Sequence, residues 1–364
     1  MRTVRRLLYA DIVSSVVFVA LAFLSLFFFI DFVDELSAAV VPGFGALSAA
    51  AYSLLLMPGH LYELLPIAVL IGAIYALSRL AQSSEFTILR TGGLGPARAL
   101  GLLTWLGLAF GVTTFVVGDY VAPWAEAQAA HWQAASRGNL NLGLSGAWLK
   151  DHALTPQGER SYAVNVGGVG SGGALRDVRI FEFDSDGRLL RRVAAQQAHL
   201  ENKAPWVLSQ VKLTQWDAEN VTQKQLEQML WPSTLDANVV AAAVLPLTTM
   251  STLDLARYIH HLADNEQAAQ QYQIQFWKRA LYPLACLVMM ALALPFAYLQ
   301  TRAGSMSLKV FGGIMLGISF VLLNNVAGHL GVLRDWTPWI VASAPSALYL
   351  LLSLAAFGWL VRFR

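Results

Sequence analysis

The chain has 364 residues, of which 56% are hydrophobic and 13% charged, with a formal net charge of +2. An ordinary soluble domain is about a quarter charged, so this composition excludes a simple soluble globule, and a total so near neutrality gives no reason to expect nucleic acid as a partner. The single cysteine, Cys286, lies in an apolar run, which excludes an intramolecular disulfide and a thiolate metal cluster.

Arg2, Arg5 and Arg6 precede an apolar run too long for the core of a signal peptide and without a clear small-residue cleavage site, so the run reads as a permanent first span. Residues 12–30 carry no charge and suffice to cross about 30 Å of hydrocarbon as a helix. They lead into an acidic cluster of Asp31, Asp34 and Glu35. Residues 44–57 are apolar but short, which predicts an interfacial helix broken at Pro58-Gly59. A second span follows over 61–80, with Glu63 near its start and Pro66 in its first turns. After a polar connection, residues 99–122 form a third span on which Gly107 and Gly111 allow another helix to approach closely.

From residue 126 to about 247 no run can cross a bilayer. Residues 126–137 read as a helical stalk. Beyond Gly146, segments at 160–166, 176–184, 188–200, 206–216 and 221–231 read as strands, with Asp186-Gly187 a strong hairpin signal and Asn202-Lys203 a weaker one. Successive strands with few helical patterns predict an all-β sandwich or jelly roll. Residues 251–273 turn helical, and spans four to six follow at 280–299, 308–327 and 339–361, with Gly313 and Gly317 repeating the small-residue spacing. The predicted fold is a mixed membrane protein: six transmembrane α-helices, split three and three by an inserted periplasmic β-jelly-roll-like domain. The expected domains are 1–125, 126–250 and 251–364.

Charge placement orients the spans. Arg2, Arg5, Arg6, Arg79, Arg90, Arg98, Arg302, Lys309, Arg362 and Arg364 fall on one side, and the opposite short loops hold Asp31, Asp34, Glu35 and Asp335 with Arg334 as their only base. The positive-inside rule then puts both termini in the cytoplasm and the β domain in the periplasm.

The connection over 80–98 is too polar for hydrocarbon. Ser83 or Ser84 can cap a short helix with Glu85 in its first turn, where a carboxylate suits the positive end of the dipole. Gly92-Gly93 supplies a stop and Gly95-Pro96 prevents continuation. The segment reads either as an ordinary interfacial loop helix or as a lever that another protein grips, presenting Glu85, Arg90, Phe86 and Leu89.

Catalytic patterns are sparse. No phosphate-cradling loop, nucleophile elbow or paired-histidine zinc helix occurs. The glycine-rich run at 167–173 reads as a hairpin loop, and His260, His261, Asp264 and Glu266 as a solvated helix surface, because two ligands from one turn do not close a zinc site. The chain is therefore not expected to be an enzyme. Lys278 and Arg279 lie at the outer end of span four, on the side poor in bases; they either snorkel to headgroups or face a cavity and attract an anionic headgroup. Asp31, Asp34 and Glu63 are candidate partners for them.

The three-plus-three plan resembles the LptF/LptG permease family, membrane subunits of the ABC machine that extracts lipopolysaccharide from the inner membrane. The most specific parts are Phe32-Val33-Asp34-Glu35-Leu36, Leu80-Ala81-Gln82-Ser83-Ser84-Glu85 with Gly92-Gly93, and Val121-Ala122-Pro123. Gly146-Ala147-Trp148-Leu149-Lys150-Asp151, Tyr272-Gln273 with Trp277-Lys278, Gly317-Ile318-Ser319-Phe320 and Pro345-Ser346 add to them. These stand closer to the LptG branch than to LptF. The resemblance implies that residues 83–92 form a coupling helix (Ser83, Ser84, Glu85, Phe86, Leu89, Arg90, Gly92) in a groove of a cytoplasmic LptB-like ATPase dimer, with Glu85 pairing a base there. It implies an LptF-like sister permease, an LptC-like single-span protein, a periplasmic bridge protein joined through the jelly roll, and lipopolysaccharide as substrate. Spans one and five would form lateral gates with the sister. No cofactor is expected in this chain, ATP and Mg belonging to the ATPase. Where LptG relatives often carry a lysine before Phe-Val-Asp, this chain has Asp31, so that basic contact to lipid phosphates does not carry over and Lys278 or Arg279 stands in its place. The rival assignments are the sister LptF-type subunit, a non-transporting membrane scaffold and an envelope-lipid enzyme.

Overall fold

The computed structural model describes residues 2–38, 45–83, 85, 88, 91, 95–137, 140–141, 146–155, 158–169, 174–199, 205–216, 220–232, 240, 250–264, 269–298 and 306–363. These residues contain six helices long and apolar enough to cross a membrane, and between the third and fourth an antiparallel sheet of seven strands. The chain divides into two compact units, a helical one (Met1–Ala38, Ala46–Ala125 and Gln273–Arg364) and a mainly β one built around Glu126–Tyr272.

In the helical unit, α1 spans Arg2–Ala38 and carries the acidic cluster inside its last turns rather than beyond its end. Helix α2 spans Ala46–Gln82 without interruption and contains both Pro58 and Pro66. The expected interfacial helix at 44–57 and break at Pro58-Gly59 are thus corrected: the segment is the first part of a 37-residue helix. The breaking rule for proline is strongest in water, whereas among packed spans neighbouring helices and local adjustment satisfy the freed backbone groups. Helix α3 spans Pro96–Val116, with Gly95 as its extended N-cap and Pro96 in the first turn, so Pro96 opens this helix. A π-helical turn over Val117–Val121 leads into α4, Ala122–Arg137.

Helix α2 is the centre of this unit, buried almost continuously from Leu65 to Leu80. Small residues set its crossings. A Cβ at Gly72 would lie 2.6 Å from the backbone N and Cα of Val16 on α1. Helix α7, Met306–Leu333, crosses α2 where Gly313 meets Ile74 and Gly317 meets Ile67. Gly107 and Gly111 of α3 meet Leu287 and the Pro283 carbonyl of α6, Gln270–Tyr298. The last span is α8, Pro338–Phe363. Because six spans alternate in direction, the termini and the 83–95 connection share one end of the unit, the terminal end. The β domain is inserted from the other, the insert end.

In the β unit, β3 (Gly158–Val169), β4 (Leu175–Phe183), β5 (Leu189–His199), β6 (Trp206–Trp216) and β7 (Val221–Trp231) pair consecutively. Strands β1 (Leu140–Asn141) and β2 (Ala147–Thr155) lie end to end along the free edge of β3, so the sheet is six strands wide. The hairpin at Asp186-Gly187 forms with Gly187 at φ 76°, and the Asp184 carboxylate accepts from the amides of Asp186 and Arg188. Of the glycine-rich run, Gly167, Gly168 and Val169 belong to β3, while 170–173 and Asn202-Lys203 lie outside the described residues.

The sheet is rolled. Trp231 on β7 packs edge-on against Tyr162 on β3 at 5.6 Å, although four inter-strand steps would separate these strands by about 19 Å if the sheet were flat. The guanidinium of Arg191 on β5 stands 5.1 Å from the same indole. A corner makes the roll possible. The ladders skip one row that runs through Gly167, Asp177, Gln196, Gln210 and Glu227, and Asp177 and Gln210 adopt φ 50° and 53° there. Buried residues fall three apart across that row (Leu175 and Val178, Ala195 and Ala198, Leu208 and Val211), so the inward face changes there while the register on either side stays the same. Helix α5, Thr252–Asp264, closes the unit with Leu255, Tyr258 and Leu262 buried. Its start is capped by Ser251, whose hydroxyl donates to Asp254 at 2.6 Å and accepts from the Asp254 amide.

Candidate functional site

At the terminal end, Glu85, Ile88 and Thr91 are helical and exposed, Ile88 by 66%. Residues 85 and 88 stand one turn apart on one helix face, so an acid and an uncovered aliphatic side chain are presented together. Ser83 lies in the turn that ends α2, its amide bonded to the Arg79 carbonyl. Ser84, Phe86, Leu89, Arg90 and Gly92 lie outside the described residues. Next to this connection Arg79 of α2 donates to Asp11 of α1 at 2.7 Å, a pair the sequence does not announce because 68 residues separate its members. Arg79 also lines a cleft of about 690 Å³ among α1, α2 and α7, together with Phe18, Ile71, Tyr75 and Phe311.

At the insert end the candidate charges separate. Asp31 accepts from His60 Nε2 at 2.8 Å, and Phe27, one turn before Asp31, stacks on the same imidazole at 4.8 Å. Asp34 is exposed and Glu35 buried. Glu63 exposes its carboxylate, while its carbonyl accepts from Tyr282 at 2.6 Å. Arg279 is 6% exposed; it donates to the Gly118 carbonyl at 2.8 Å and its guanidinium lies 5.6 Å from the Tyr62 ring. That carbonyl belongs to the π-helical turn of span three, where widening of the helix frees backbone groups for other partners. Gly118 is required there, since a Cβ would run into the Tyr62 ring. Tyr62 stacks in turn on Tyr282 at 4.8 Å. Lys278 goes elsewhere: its ammonium reaches the surface of α7 at Gly328.

The sequence therefore locates the charged positions, and the structure supplies the partners it could not: His60, Tyr62, Gly118, Tyr282 and Gly328. His60 sits directly after Pro58-Gly59, and reading α2 as continuous would have placed it on a helix facing span one. In the β unit, Glu182 is 5% exposed and is held by Arg160 at 3.6 Å and by Arg191. His260 and Asp264 form an exposed pair at 3.6 Å, and no group of three metal-ligating side chains occurs among the described residues.

Six apolar spans, one of them buried at the centre of the helical unit, with a rolled β domain inserted in the chain between spans three and four, define a multi-pass membrane protein. The family profile described as lipopolysaccharide export system permease LptF/LptG matches residues 6–359, and the chain belongs to this family. It is 29% identical over 330 residues to the lipopolysaccharide export system permease protein LptG of Escherichia coli (strain K12), covering 89% of each chain. It is 27% identical over 327 residues to the protein of the same description from Haemophilus influenzae, again covering 89% of each. These relatives are permeases by description, not catalytic enzymes, and the family together with the six helices makes this an inner-membrane protein.

Proposed function

We propose that this chain is an LptG-type permease subunit that works with a sister permease and a cytoplasmic ATPase dimer to lift lipopolysaccharide out of the inner membrane toward a periplasmic protein bridge. In this reading the termini and the 83–92 connection are cytoplasmic and the β domain periplasmic, as the arginines gathered at the terminal end favour. The ATPase binds ATP and Mg, and a single-span protein of the LptC type accompanies the permeases. The observation that carries the reading is the family match over residues 6–359 by a chain whose relatives are described as LptG.

The physics of the proposed coupling is short. Glu85 and Ile88 offer a charge-assisted contact and an apolar one on a single face, which a groove on the ATPase would bury. Motion imposed there passes into α2, the most buried span, against which α1 and α7 both pack through glycines. Those two helices are the proposed lateral gates. The acidic and basic groups at the insert end then meet the polar part of the lipid as it leaves the bilayer.

Affinity purification tests the proposal. The intact chain should bring down an ATPase and a homologous permease in stoichiometric amounts. Glu85→Lys should lose the ATPase and keep the sister permease. Purification without any ATPase, or full ATPase retention and normal lipopolysaccharide export with Glu85→Lys, would overturn it.

A further inference from the structure

We infer that the two adjacent bases of span four have different jobs: Arg279 holds spans two, three and four together, and Lys278 is the binding base for a phosphate carried on a membrane lipid, aimed by a notch at Gly328. The inference rests on the proposed function only for the identity of the lipid.

Consecutive residues on a helix point about 100° apart, so Lys278 and Arg279 cannot serve one site from one face. Arg279 is committed inward, to the Gly118 carbonyl and the Tyr62 ring. Lys278 lies across the neighbouring span instead. A Cβ added at Gly328 would fall on Lys278 Nζ and within 2.9 Å of its Cε, so the bare backbone of α7 is the floor on which the end of the lysine rests. A lysine that merely snorkelled would extend its tip away from the helices into the headgroup water; this one is partly buried and laid against a glycine.

Among the described residues no carboxylate pairs with Lys278. A partly buried ammonium without a counter-charge is costly and calls for an anion. Depth identifies the kind. Trp277, Trp336 and Trp339 are exposed around this end of the bundle, and tryptophans of that kind mark the level of lipid headgroups. Gly328 lies about 7 Å below the last residue of α7 at 1.5 Å per residue, where a lipid presents its phosphate. A lysine acts on phosphate as a compact point charge.

The test is lipid binding by the full chain in phosphate-free maltoside micelles, titrated with a bisphosphorylated lipid A-type glycolipid in one arm and phosphatidylglycerol in the other. Lys278→Gln should weaken binding about tenfold, the loss of one charge-assisted contact, and Lys278→Arg should restore most of it. Loss in the glycolipid arm assigns the site to the substrate, and loss in the phosphatidylglycerol arm assigns it to the surrounding bilayer; either supports the phosphate site. Gly328→Ala leaves the lysine in place but displaces its flexible end. It should weaken binding on its own and add nothing in the Lys278→Gln background. Unchanged affinity in both arms with Lys278→Gln, or a Gly328→Ala effect that persists without the lysine, would overturn the inference. No ATPase takes part in this measurement, so its failure is separate from failure of the purification test.

Discussion

Asp31 of α1 and His60 of α2 are joined at 2.8 Å at the insert end of the bundle, the imidazole bonding that carboxylate through Nε2 and stacking one face on the ring of Phe27. A carboxylate only accepts, so Nε2 carries the shared proton. The pair ties the insert-end part of α1 to the central helix. Replacing either residue by alanine should loosen α1 from α2, and the coupling between the two substitutions should be about 1 kcal/mol, as for a partly buried pair. Thermal unfolding of the two single variants and the double variant measures this directly. Strict additivity would mean that the contact does not hold the helices.

Arg279 and Lys278 make a matched comparison. Arg279→Ala would leave the Gly118 carbonyl of the π turn without its buried donor and remove the cation above Tyr62, a loss of about 3 kcal/mol. Lys278→Gln should change stability by no more than about 0.5 kcal/mol, because no protein group among those described pairs with it. The expected pattern in unfolding temperature is a large drop for one residue and almost none for its neighbour, the reverse of the order expected in lipid binding.

Gly72→Ala should cost about 1–3 kcal/mol, because the added carbon meets the backbone of Val16 and the two helices must separate. Gly101→Ala on α3 is the control. Nothing lies within 4 Å of its added Cβ, and alanine is the better helix former by about 1 kcal/mol. Unfolding midpoints of the two variants should therefore move in opposite directions.

The legible parts of this protein are those set by local periodicity. Strands β3 to β7 can be read because alternation and the turn at Asp186-Gly187 are short-range signals, and the glycine pairs on α3 and α7 because close approach needs a missing Cβ wherever the partner lies. Strand β2 is not legible: Trp148-Leu149-Lys150-Asp151-His152 alternates poorly, and its order comes from a ladder with β3 that runs from Ala147 to Thr155. The continuity of α2 through Pro58 is hidden too, because the cost of a proline depends on what surrounds the freed carbonyl, which is a tertiary fact. The corner through Asp177 and Gln210, and the roll that brings Trp231 to Tyr162, have no local signature at all. At the sites, charge and depth are readable and direction is not. Asp31, Lys278 and Arg279 can be singled out as charges near span ends, but whether each meets an imidazole, a glycine or a carbonyl depends on helices distant in sequence.

The β unit carries a titratable joint at His261. This residue sits on α5 behind Tyr258, with their rings 6.4 Å apart, and Tyr258 meets Tyr272 edge-on at 4.7 Å. Burial pulls the imidazole below its ordinary value of 6.5, against the smaller opposing pulls of Asp151, Asp264 and a hydrogen bond to the Lys150 backbone. The folded state thus disfavours the protonated ring, and the unfolded state takes up the proton more readily. Stability from this residue is complete above pH 6.5, falls as pH drops below that value, and levels off beneath the lowered folded pKa. The local consequence is that α5 should loosen from β2 in mild acid. Hydrogen exchange of the α5 amides in the full-length chain should be faster at about pH 5 than at about pH 7.5, after correction for intrinsic rates, and His261→Gln should remove that difference. Equal pH dependence in the variant would place the acid-sensitive group elsewhere.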